Sequence, residues 1–146
     1  MYHSLLPLIG WAATISVAAF AWWKGGYAER FGSLVNLVAA VAVTISHLMM
    51  TLSSAGLALL VIDALMAVGF LALAIRYASL WIGVAMLLQA GQFSLHAWYL
   101  VSALERDRLY AIANNAISIG ILLCILVGTL ISWRRRAKAA KAVQAA

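Results

Sequence analysis

Apolar residues crowd into five runs separated by short polar breaks. The runs are Leu5 to Trp23, Leu34 to Leu52, Leu57 to Ile75, Leu80 to about Ala103, and Leu109 to Trp133. Each is close to the roughly 20 residues that an α-helix needs to cross a hydrocarbon core about 30 Å thick. In lipid the backbone must satisfy its own N–H and C=O groups, which a helix does and an irregular segment does not. The pattern predicts an all-α fold, an integral membrane bundle of about five transmembrane helices. These form one domain over residues 1–133, followed by a basic tail over 134–146. The breaks are Lys24 to Arg30, Ser53-Ser54-Ala55-Gly56, Arg76-Tyr77-Ala78-Ser79 and Glu105-Arg106-Asp107-Arg108. Connections this short make consecutive helices antiparallel neighbours.

Composition agrees: 66% of the 146 residues are hydrophobic and 10% are charged, against about a quarter charged in soluble domains. The net charge of +6 does not point to nucleic acid. Half of the basic residues, Arg134, Arg135, Arg136, Lys138 and Lys141, sit in the tail, and the aromatics lie in or beside apolar runs. A basic segment next to a span is an anchor on the cytoplasmic side. With the N-terminus outside, the inner side gathers those five together with Lys24, Arg30 and Arg76, leaving Arg106 and Arg108 outside. The positive-inside rule selects this orientation, in a bacterial inner (plasma) membrane. It places Trp22, Trp23, Trp81 and Trp133 at the inner interface and Trp98 near the outer one. A signal peptide ending near Ala19-Phe20-Ala21 is the competing reading of the first run. It lacks the preceding positive charge and would turn the basic tail outward.

Polar residues inside apolar runs carry most of the information: Asn36, His47, Asp63, Gln89, Gln92, His96, Asn114 and Asn115. A carboxylate near the bilayer centre costs several kcal/mol, so Asp63 is expected to face protein or water. At 1.5 Å per residue, His47, Asp63, His96 and Asn114 lie roughly 7 to 11 Å below the outer boundary. On the fourth run Gln89, Gln92, His96 and Tyr99 follow helical spacing and form one ridge. Thr44, His47 and Thr51 do the same on the second, and Asn114 or Asn115 aligns with Ser118 on the fifth. The candidate polar cluster is therefore His47, Asp63, Gln89, Gln92, His96, Asn114 and Asn115. It can be interhelical glue, or a site at which Asp63 carries a proton or ion beside the two histidines. Two imidazoles at matched depth could also hold a haem, or a divalent metal together with Asp63, although no tight ligand motif is present.

Ala116, Gly120, Cys124 and Gly128 recur every four residues, a small-residue stripe that lets another helix approach closely. Cys124 is the only cysteine, so no intramolecular disulfide forms. The alternating charges from Glu105 to Arg108 read as a solvated turn. Nucleophile elbows, phosphate loops and nucleotide fingerprints are missing, and no catalytic residue is assigned.

The segment from Lys24 to Gly32, Lys-Gly-Gly-Tyr-Ala-Glu-Arg-Phe-Gly, resembles the basic-Gly-Gly-x-x-Glu-Arg-x-Gly pattern of a group of small uncharacterised bacterial inner-membrane proteins. Val61-Ile62-Asp63, Ala74-Ile75-Arg76 with Trp81, and Gln89 with His96 are similar to that group as well, while His47 is outside the pattern. The resemblance implies about five membrane helices and carries over no activity. The expectation is a non-enzymatic accessory or oligomer-forming membrane subunit, contacting lipid and itself or another subunit. The alternatives are a small-solute, ion or proton pathway through the polar cluster, and a haem- or metal-binding redox subunit.

Overall fold

The computed structural model describes residues 5–49 and 52–144. They form five α-helices: α1 (Leu5–Lys24), α2 (Tyr27–Met49), α3 (Leu52–Tyr77), α4 (Leu80–Val101) and α5 (Arg108–Gln144). Three of them contain segments long and apolar enough to cross a membrane, Tyr27–Met49, Gly56–Tyr77 and Arg108–Gln144. The other two are long enough, at 20 and 22 residues. The apolar run of α4 is diluted by Gln89, Gln92 and His96.

Each helix packs on its neighbours in sequence, and α5 returns to α1, so the five close a ring. Contacts at glycines fix the antiparallel registers: Gly69 faces Val35 and Gly32 lies near Leu73 between α2 and α3. Gly120 faces Leu88 and Gly128 faces Trp81 between α4 and α5. The small-residue stripe of α5 is thus partly filled from within the chain. A Cβ at Gly128 would stand 2.6 Å from the Trp81 indole nitrogen, and one at Gly32 would stand 2.9 Å from the same ring. Trp81 is accordingly buried in the core, at 7% exposure, rather than at an interface as its position beside a break suggested. Trp22, Trp23 and Trp98 are exposed.

Helix ends depart from the apolar runs. The first break contracts to Gly25 and Gly26, because Tyr27 to Arg30 already belong to α2. The Gly25 N–H donates to the Ala21 carbonyl at 2.8 Å, closing α1, and a Cβ at Gly25 would collide with that same oxygen. Gly26 then caps α2: its N–H donates to Glu29 Oε2 at 2.7 Å, the return half of a capping box. Glu29 Oε1 accepts the Ser132 hydroxyl at 2.8 Å, tying the start of α2 to α5. Ser53 to Gly56, read as a break, are helical and belong to α3. α4 stops at Val101, two residues early, and α5 runs unbroken through the basic tail to Gln144.

The apolar core fills the half of the ring nearer the α1–α2 turn. Ala21, Phe70, Ile82, Ala85 and Ile125 are fully buried there, with Leu73 and Trp81 beside them. Toward the α4–α5 turn the interior becomes polar.

Candidate functional site

The polar half begins with Asp63 on α3, which is 3% exposed. Both of its carboxylate oxygens are engaged by α4: Gln89 Nε2 donates to Oδ1 at 3.1 Å, and His96 Nδ1 meets Oδ2 in a close contact. Gln89 and His96 are seven residues apart, two turns along one helical face, so a single helix grips the carboxylate from both sides. His96 Nδ1 and Asp63 Oδ2 form the ion-pair contact found among the described residues. The grip leaves two buried atoms without partners among the described residues, Gln89 Oε1 and His96 Nε2.

One turn along, Gln92 Nε2 donates to Asn114 Oδ1 on α5 at 2.9 Å and approaches the Ser118 hydroxyl at 3.5 Å. The hydroxyls of this layer turn back on their own helices, Thr44 to the Ala40 carbonyl and Ser118 to that of Asn114, each at 2.9 Å. Such bonds satisfy a hydroxyl without a second helix. The amides and the imidazole have no such local solution and must look across the bundle.

These side chains surround a cavity of about 360 Å³ at the centre of the ring. Its lining takes Pro7 and Trp11 from α1, Asn36, Thr44 and His47 from α2, Asp63 and Met66 from α3, Gln92 and His96 from α4, and Asn114, Ser118 and Ile121 from α5. From Arg108 to Ile121, and from Met49 to Asn36, the lining descends ~20 Å at 1.5 Å per residue. Below it stand the fully buried Phe70, Ile82 and Ile125. The cavity ends at this core, and its wall mixes polar and apolar side chains down to Asn36 and Ile121 at its lower end.

Above it a second space of about 620 Å³ is lined by Gly56, Tyr99, Leu100, Leu104, Glu105, Arg106, His96 and Tyr110. His96, Arg106 and Tyr110 border both spaces and so stand at the mouth. The Arg106 guanidinium lies 5.6 Å from the Tyr110 ring centroid, and that ring lies 5.5 Å from His96 and 4.9 Å from Tyr99. Asp107 caps α5 by accepting the Tyr110 N–H at 2.9 Å, and it also accepts the Tyr99 hydroxyl at 2.9 Å. Those hydrogen bonds, the backbone one first, hold its carboxyl below the ordinary value of 3.8.

Of the seven cluster residues expected from sequence, Asp63, Gln89 and His96 form one bonded group and Gln92 and Asn114 another. His47 lines the cavity while remaining exposed, and its ring has no hydrogen-bond partner among the described residues. Asn115 does not join: it is exposed on the outside of α5, because adjacent helical residues stand about 100° apart and only Asn114 can turn inward. Thr51 lies outside the described residues. No group of three or more His, Cys, Asp or Glu side chains that could hold a metal occurs among the described residues. Sequence reasoning missed Arg106 and Tyr110 at the mouth. The outer turn was read as merely solvated, whereas its Arg106 borders the cavity. Comparison with family models, with curated proteins and with solved structures finds no match.

Proposed function

We propose that all five helices span the bilayer, with the N-terminus outside and the basic end of α5 in the cytoplasm. In this reading the protein binds a small solute in a cavity reached from the outer face. The observation that carries it is the single cavity bounded by all five helices and walled by Asp63, Gln92, His96 and Asn114. A polar network kept only as glue is expected to satisfy its members, since an unpaired buried polar atom is costly. Here His96 Nε2 is left without a partner on a side chain that lines the cavity. Asp63 orients the ring through Nδ1, leaving Nε2, itself buried in the wall, as the ring atom without a partner. Spanning by α1 and α4 is supported by their large exposed apolar side chains, such as Leu8, Ile9 and Ile15, or Val84 and Leu87. Such faces suit lipid and not water. The dead-end floor suits binding better than open conduction.

Native mass spectrometry on protein released gently from its membrane tests the reading. The wild-type protein should carry a small-molecule adduct that is lost in His96→Ala. An adduct-free wild type, or the same adduct in the variant, would remove the reading.

A second reading, self-association, is favoured by Asn115. An exposed amide inside a span has no satisfied partner in lipid and draws helices together.

A further inference from the structure

The charges at the mouth are unevenly committed. Asp63 has both carboxylate oxygens taken by Gln89 and His96. Asp107 is occupied by Tyr99 and the Tyr110 N–H, and Glu105 borders the outer space but not the inner one. Arg106 lines both spaces, and no carboxylate lies within ion-pair distance of it among the described residues. The inner lining otherwise offers the Asn36, Gln92 and Asn114 amides, which carry donors as well as acceptors, together with the Trp11 indole and the exposed His47 ring. Deeper in, Met66, Ile121 and Leu122 supply apolar wall beside the Asn36 amide.

We infer that the cavity selects small organic anions, a carboxylate head meeting Arg106 at the mouth and an apolar body resting against Met66, Ile121 and Leu122. The inference rests on the proposed reading of the cavity as open to solvent, and goes beyond it in naming the ligand class. A guanidinium suits a carboxylate because its planar fork donates two parallel hydrogen bonds. An inorganic anion would leave the apolar side chains of Met66, Ile121 and Leu122 unused, and a cation would have to pass Arg106 to reach a carboxylate already engaged.

The test introduces a thiol into the cavity wall of protein in lipid nanodiscs, with Cys124→Ala removing the native one. Ser118→Cys is nearly isosteric, and Ala40→Cys supplies a second position on another helix in case the first disturbs packing. Each is reacted with a negatively charged and a positively charged alkyl thiosulfonate of similar size, and the rate ratio is divided by that of a free thiol in solution. The normalised anion-to-cation ratio should exceed one by about tenfold, fall toward one in Arg106→Gln, and recover in Arg106→Lys. Benzoate should slow the labelling several-fold more than benzamide does. A ratio at or below one, a ratio unchanged by Arg106→Gln, or equal protection by the two probes overturns anion selection and leaves the open cavity standing. Failure of both reagents at both positions removes the open cavity, and anion selection with it.

Discussion

At the scale of single residues, the Asp63 and His96 pair decides what substitutions do. Removing one member of a buried pair strands the other, which costs about 3–5 kcal/mol in proteins generally. His96→Ala should therefore lower stability by about 3 kcal/mol, read from unfolding in mixed micelles. Replacing both, Asp63→Leu with His96→Leu, removes the stranded group and fills its volume, so most of that stability should return. Ligand binding should not return with it. Recovery of stability in the double variant together with retained adduct would show that the pair is packing alone. Backbone strain gives a second residue-level expectation. Ala78 ends α3 at φ 43° and Ala103 follows α4 at φ 49°, where a Cβ is disfavoured and glycine is the common occupant. Ala78→Gly should stabilise the fold by about 0.5–1 kcal/mol, read in the same assay.

Among the elements, the turns hold information that hydropathy does not carry. Apolar runs mark where a helix meets lipid or core, whereas its ends depend on hydrogen bonds. That is why Tyr27 to Arg30, polar by composition, belong to α2 through the Gly26 and Glu29 cap. It is also why Ser53 to Gly56 continue a helix despite reading as punctuation. The Lys24 to Gly32 segment that prompted the family resemblance has a structural account in this cap, in the closure at Gly25 and in the Trp81 contact at Gly32. Glu29→Ala removes both the cap and the Ser132 tie and should cost about 2 kcal/mol, whereas the Cβ added by Gly26→Ser would stand 2.9 Å from Glu29 Oε2 and displace only the cap. Asp107 gives α5 a pH dependence. Its folded carboxyl titrates below its ordinary 3.8, so the capping contribution is complete above that value and disappears as pH falls through the lower, folded one. Hydrogen exchange of the Tyr110 amide should quicken on acidification below about pH 4, and Asp107→Asn, which caps without titrating, should flatten that dependence.

Over the whole molecule the usual arrangement is inverted, with large apolar side chains exposed on every helix and the polar ones gathered inside the ring. Helix count was legible from run lengths, because each apolar run has the length of one helix. Facing was legible only where a ridge of several residues agreed, as with Gln89, Gln92 and His96. A lone pair such as Asn114 and Asn115 left it open. The approach of Arg106 and Tyr110 was not legible, since it depends on how the α4–α5 turn folds after Ala103, with the Leu104 N–H donating to the Tyr99 carbonyl at 3.1 Å. The outward Asn115 then bears on assembly. Its neighbours on α5, Ile112, Ile119 and Leu123, are exposed and apolar, so the amide is a single polar group on a face otherwise suited to lipid. An amide carries both donor and acceptor, so the same residue on a two-fold-related copy satisfies both. Interhelical bonds of this kind contribute about 0.6–2 kcal/mol, enough to shift a dimer equilibrium by about threefold to thirtyfold. Asn115→Leu should weaken self-association by that factor in a detergent dilution series, leaving the cavity and its bound solute untouched. An unchanged dimer fraction would assign Asn115 to lipid headgroups or water rather than to a second copy.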